Sequence, residues 1–154
     1  MDFYFRVMNQ QEAEEIANVW KYDGIYSFYD ISADMDDYLE FIDAEKRLNK
    51  YYSCYLNNEL IAWCSIEVLG DGKIELGLGL KPKHIGKGFG VDFVDAVIDY
   101  AASTHCIYEF VLSVALFNQR AIRVYEKVGF TKTGAFIQNT NGGDYEFIKM
   151  SLSR

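Results

Sequence analysis

The sequence predicts a mixed α/β fold: a seven-stranded, mostly antiparallel sheet flanked by about four helices, in the order β-α-α-β-β-β-α-β-α-β-β, within one domain spanning residues 1–154. Three observations predict it. Apolar and polar residues alternate in several short runs, which is the period of half-buried strands. Turn residues separate neighbouring runs, as hairpins require. Longer segments between them carry apolar residues at helical spacing, and no linker, repeat or low-complexity tract interrupts the chain.

Each element follows in turn. FYFRVM, from Phe3 to Met8, alternates as a strand. NQQEAEEIANVW comes next, with Asn9 as N-cap, Glu12 three residues later to complete a capping box, and Ile16, Val19 and Trp20 on one helical face. After an aromatic loop, Ser32 can cap a second helix in which Met35, Leu39 and Ile42 recur at helical spacing. Its Asp34, Asp36 and Asp37 suit the positive end of the helix dipole, and it is expected to end near Asn49. YYSCYL, LIAWCSIEVL and KIELGLGL, divided by NNE and GDG, read as a three-stranded meander. A glycine-rich loop then leads into a helix from about Gly88 to Thr104, with Val91, Val94, Val97, Ile98 and Ala101 inward. The strand YEFVLSVAL precedes a helix, NQRAIRVYEKVG, stopped by Gly129. FTKTGAFIQ and DYEFIKMSL, joined by NTNGG, complete the order.

Composition excludes several function classes. A net charge of −8 and a pI near 4.7 argue against nucleic acid as a partner, because affinity for a phosphate backbone rests on clustered Lys and Arg. No apolar run approaches the roughly 20 residues of a membrane helix, so no membrane partner is expected. MDFYFRVMNQQEAEE lacks the basic region and apolar block of a signal peptide, which points to the cytoplasm. Cys54, Cys64 and Cys106 are odd in number and show no CxxC spacing, so neither a disulfide framework nor a metal site is expected, and all three read as buried thiols. The acidity suits a cationic substrate and solubility equally well. Association into a homodimer is left open.

The most informative stretch is LKPKHIGKGFGVDFVDAVIDYA, with Gly86, Gly88 and Gly90 at alternate positions before a helix. A strand, a short loop and a helix N-terminus bring several unpaired N–H groups together, where the dipole favours an anion such as phosphate. Glycine lets bulky oxygens approach those amides and permits the backbone angles that turn them inward. A plain tight turn is the competing explanation. The GxGxxG dinucleotide fingerprint fails, because Gly88 is followed by Phe89 and Gly90 and the flanking strands are hairpin-linked. No GxxxxGK followed by Ser or Thr exists, which removes the P-loop.

IELGLGLKPKHIGKGFG, followed about thirty residues later by NQRAIRVYEKVGFTKTG, resembles the two signature segments of the GNAT family of N-acetyltransferases. The order of strands and helices is similar to that fold over nearly the whole chain. The resemblance implies a GNAT-type domain that transfers an acetyl group from acetyl-CoA to a primary amine by direct attack. The acceptor it implies is an amine-bearing molecule, whether a small amine, an amino acid or antibiotic, or a protein N-terminus or lysine. One departure stands out: the family's loop usually begins with Gln or Arg where this chain has Ile85. Backbone amides from Gly86 through Lys87, Gly88 and Phe89 to Gly90 must then carry the phosphate binding, with the Lys87 side chain as a helper. An alternative function is a noncatalytic acyl-CoA-binding sensor.

The resemblance also implies a site. The main chain of Leu78, Gly79 and Leu80 would pair with the pantetheine arm, because in the family this strand splays open; Gly77 and Gly79 would otherwise only relieve packing or mark a bulge. Asn118 would contact the pantetheine, although helix capping alone would explain it. Tyr125 lies seven residues later on the same helical face and matches the family's general acid, against the alternative of a core tyrosine. Glu75 matches a position where a glutamate often serves as base, with Glu67 on the neighbouring strand as rival. His84 and His105 read as surface residues. Tyr22, Tyr26, Phe28 and Tyr29, with Asp23 and Asp30 among them, lie in the loop that borders the acceptor cleft in this fold. Aromatic faces with carboxylates suit an organic cation, and rings covering a sheet edge would give the same pattern.

Overall fold

The computed structural model describes all residues, Met1–Arg154. One sheet takes in strands β1 (Phe3–Val7), β2 (Tyr51–Leu56), β3 (Glu59–Gly70), β4 (Lys73–Leu80), β5 (Glu109–Ala115), β6 (Thr131–Thr140) and β7 (Gly143–Ser153). Their order is β1-β2-β3-β4-β5-β7-β6. Every neighbouring pair is antiparallel except β4 and β5, which run parallel and pair only from Lys73 to Glu75. The helices are α1 (Gln10–Val19), α2 (Met35–Ile42), α3 (Ala44–Arg47), α4 (Gly90–Thr104) and α5 (Gln119–Val128), with 3-10 turns at Gly24–Tyr29, Ile31–Ala33 and Pro82–His84. No helix is long and apolar enough to cross a membrane.

Two apolar layers sandwich the sheet. Cys64, Ile66, Ile74 and Leu76 pack under Phe93, Val94, Val97, Ile98 and Ala101 of α4 and Ile122 of α5. On the other side, Leu60 and Trp63 meet Ala13, Ile16, Ala17 and Trp20 from the α1 region and Phe41 of α2. The capping box holds: Asn9 Oδ1 accepts from Glu12 N and Glu12 Oε1 accepts from Asn9 N.

Several expectations need correction. The α1 stripe runs through Ala13, Ile16, Ala17 and Trp20, which leaves Val19 on the solvent side. Asp34, not Ser32, caps α2 by accepting from Asp37 N at 3.1 Å. Met35 and Leu39 are exposed, and the inward face is formed by Phe41 with Tyr38 and Ile42. The expected long helix breaks at Asp43, whose carboxylate accepts from Glu45 N and so starts α3 afresh. On α4 the half-buried Val91 cedes the core to Phe93. Cys106 is exposed, whereas Cys54 and Cys64 are buried.

Candidate active site

The geometry of the site begins where β4 and β5 part. Lys81 N donates to Ile61 O at 2.7 Å, so by antiparallel alternation the odd-numbered residues of β4 bond to β3 and the even-numbered ones face β5. Pairing with β5 stops at Glu75 and Val111. Beyond that point the amide and carbonyl of Leu78 and the amide of Leu80 face an open cleft, while the backbone of Gly79 is turned to β3. The last outward carbonyl, that of Leu80, accepts from the Tyr22 hydroxyl at 2.7 Å. Across the gap, Ala115 N donates to the Tyr29 hydroxyl at 3.3 Å. Two tyrosines of the aromatic loop thus cap the jaws of the split sheet.

Gly77 and Gly79 lie within an unbroken register with β3. A Cβ at Gly77 would meet Ser65 Oγ at 2.3 Å, and one at Gly79 would meet Trp63 Nε1 at 2.0 Å. These glycines admit the Ser65 and Trp63 side chains on the sheet surface; the opening itself comes from the divergence of β5.

The cleft holds a cavity of about 490 Å³ lined by 28 residues, of which 19 are hydrophobic, so a largely apolar ligand segment fits it. Leu78, Gly79, Leu80, Gly86, Gly88, Gly90, Asn118 and Tyr125 all line it. Gly86 and Gly88 have φ values of +74° and +85°, which a residue with a Cβ resists, and a Cβ at either would meet nothing within 4 Å. Gly90 serves packing instead, since its Cβ would stand 3.1 Å from Val124 Cγ2 and its absence lets α4 close on α5. Phe89 caps α4 without a side-chain hydrogen bond, which leaves the first amides of that helix as free donors. The exposed Lys87 and the half-buried Phe89 do not line the cleft.

The loop is anchored from behind. The Phe89 ring stands edge-on to His84 with centroids 5.1 Å apart, and His84 Nε2 lies 3.0 Å from Glu59 Oε2. His84 is therefore a structural anchor and not a plain surface residue. Hydrogen bonds from Lys83 and His84 hold the Glu59 carboxyl down to about 2.

On α5, Asn118 Oδ1 accepts from Ala121 N at 3.2 Å, the expected cap. Tyr125 packs edge-on against Phe130 at 5.9 Å, and its hydroxyl makes no hydrogen bond within the protein. Burial, and secondarily Tyr29 nearby, push its phenol well above the ordinary range. Arg120 and Lys127 also line the cleft. Sequence reasoning missed both, although their separation of seven residues places them on one face of α5.

Opposite α4 and α5 the wall includes Tyr22, Tyr26, Tyr29, Ile31, Trp20 and Trp63. Trp20 and Trp63 were not anticipated as site residues. Phe28 lies outside, packed on Phe117 at 5.3 Å and Tyr145 at 4.8 Å. The loop is clasped by the β6–β7 turn: Asp34 Oδ2 accepts from Asn141 N at 3.1 Å and from the Thr140 hydroxyl at 3.2 Å, and Asn141 Nδ2 donates to Phe28 O at 2.8 Å. Asp30 accepts from Tyr22 N at 2.8 Å, and Asp23 is exposed. Glu75 and Glu67 face each other across β4 and β3, and neither lines the cleft. Glu67 pairs instead with Lys50 at 3.4 Å.

Comparison with known proteins agrees with this architecture. The Acetyltransferase (GNAT) family model matches residues 13–130. Spermidine N(1)-acetyltransferase of Vibrio cholerae is 29% identical over 76 residues, covering 49% of this chain and 44% of that protein. The chain thus spans less than half of that relative's length in the match. N-acetyltransferase p20 of Bacillus licheniformis is 26% identical over 140 residues, covering 84% of this chain and 79% of its own. The crystal structure of the Vibrio cholerae spermidine N-acetyltransferase in complex with CoA and spermine superimposes with a TM-score of 0.77, at 19% identity and over 98% of this chain and 95% of that one. The family model covers most of the chain, including both the glycine loop and α5: the chain belongs to the acetyltransferase (GNAT) family.

Proposed function

We propose that this chain is an N-acetyltransferase that uses acetyl-CoA and delivers the acetyl group to a primary amine by direct attack. One observation carries the reading: Gly86 and Gly88, the open backbone at Leu78 and the unpartnered Tyr125 hydroxyl line a single continuous cleft. An unpaired strand edge suits a slender chain of amides, and a loop with no Cβ at two positive-φ sites, ahead of an uncapped helix, suits a diphosphate.

Acetyl-CoA, when bound, supplies an activated acetyl group as a thioester. The chain's residues do the rest. Leu78 donates its N–H and accepts at its C=O, which fixes the ligand arm along β4. The α4 amides hold the diphosphate, and Arg120 and Lys127 add charge that Ile85 does not provide. Tyr125 retains its proton at Oη at every physiological pH, because burial disfavours the phenolate, and so stays ready to donate it to the leaving sulfur. Glu75 stands one residue before the cleft wall, so its proposed service as base runs through water along the Ser65–Gly77 surface.

A sensor reading keeps one point in its favour, the position of Glu75 outside the cleft. Calorimetry with acetyl-CoA and thiol release over an amine panel separate the two. Acceptor-dependent thiol release establishes the enzyme; tight binding without any such release establishes the sensor.

A further inference from the structure

The chemistry of the acceptor wall narrows the substrate class. Trp20, Tyr22, Tyr29 and Trp63, with Ile16 and Ile31, supply the aromatic and aliphatic lining of this wall, an aromatic cup. None of the 28 residues that line the cleft is Asp or Glu, and the only charged ones, Arg120 and Lys127, are cations. The carboxylates around the cup are turned to structural partners. Glu15 accepts from Trp20 Nε1 at 3.0 Å, Asp30 from Tyr22 N at 2.8 Å, and Asp34 from the Asn141 backbone. Cations already lie by two of the rings: the Arg120 guanidinium is 4.4 Å from the Tyr26 ring centroid, and Lys81 Nζ, itself paired with Glu59 at 3.6 Å, is 5.9 Å from that of Trp20.

A single ammonium can dwell against aromatic faces before it is delivered as the free amine. A second or third ammonium would enter an apolar cleft whose lining holds no carboxylate to pair with it, which is unfavourable. We propose that the acceptor is a monoamine bearing an aryl or branched-alkyl group, and that polyamines are poor acceptors. The inference rests on the acetyltransferase reading and deepens it. It also separates this chain from its Vibrio cholerae relative, which is named for spermidine. Trp63 is the main selector, since its indole occupies the space over Gly79 that a Cβ there would fill.

The test uses the full chain with saturating acetyl-CoA and measures thiol release with phenethylamine, isopentylamine and spermidine at one pH. The expected result is a kcat/KM for phenethylamine at least tenfold above that for spermidine, with isopentylamine also above spermidine. Spermidine turned over as well as either monoamine overturns the inference and leaves the acetyltransferase reading standing. Acetyl-CoA binding with no thiol release from any amine overturns that reading and the inference with it. Trp63→Ala should raise the KM for phenethylamine at least fivefold while the acetyl-CoA dissociation constant stays within twofold. Trp63→Phe keeps an aromatic face, should recover most of the loss, and serves if the Ala variant fails to fold. Unchanged phenethylamine KM in a folded Trp63→Ala protein rules out the cup as the acceptor site.

Discussion

The Tyr22 hydroxyl donates to the Leu80 carbonyl over 2.7 Å, across 58 residues of sequence, and so closes the backbone edge of the opened strand just before the chain turns into the glycine loop. The ring belongs to the acceptor wall and the hydroxyl to the sheet. Tyr22→Phe keeps the ring and leaves the carbonyl open. It should cost about 1 kcal/mol of stability, the usual scale of one hydrogen bond, seen as a lower urea midpoint with an unchanged m value.

Gly88 combines a φ of +85° with open space on its Cβ side and lines the cleft, so a side chain there is strained and takes up space at the proposed diphosphate site. Gly88→Val should raise the acetyl-CoA dissociation constant at least tenfold, or about 1.4 kcal/mol. Calorimetry checks it. Parental affinity in the variant would remove the loop from the binding site.

Tyr125→Phe removes only the hydroxyl. If Tyr125 protonates the leaving thiol, kcat should fall roughly tenfold to a few hundredfold, in the lower part of the range for general acid catalysis. Acetyl-CoA affinity should stay nearly constant, because the hydroxyl has no partner within the protein to lose. Parental kcat, measured where chemistry limits turnover, would return Tyr125 to a packing role.

The three cysteines should behave as two classes. Burial pushes the Cys54 thiol up to about 12 and that of Cys64 further still, so neither presents a thiolate near pH 8. Cys106 is exposed. An aromatic disulfide reagent should titrate one thiol promptly in the native protein and all three in denaturant. Cys106→Ser should abolish the prompt reaction.

Much of this fold was legible because its signals are local. Alternation and turn residues located all seven strands in order, and Asn9 with Glu12 announced α1. The break at Asp43 was not legible, since an Asp within a helical pattern reads as a surface residue until its carboxylate is seen to cap the next turn. The loop at Gly86 and Gly88 and the pair Asn118 and Tyr125 were legible from motif spacing, and all four line one cleft. Glu75 shows the limit. Alternation gives the face of the sheet it occupies, but where the cleft begins depends on how far β5 accompanies β4, and that divergence has no local sequence signal. The bonds of Tyr22 and Tyr29 to the strand edges join residues 58 and 86 positions apart, beyond the reach of any periodicity.

The clasp between Asp34 and Asn141 joins residues 107 positions apart. Its closure must await the β6–β7 hairpin, because Asn141 adopts its φ of +52° only within that turn. Chain-closure entropy makes so distant a contact late in folding and early to be lost. The aromatic loop should therefore assemble last and open first, as a unit separate from the sheet core. Amide exchange should show it: the amides of Tyr26 and Asp30, bonded only within the loop, should exchange faster than those of β3, and Asn141→Gly, which keeps the positive φ and removes the side-chain bond to Phe28 O, should widen that gap.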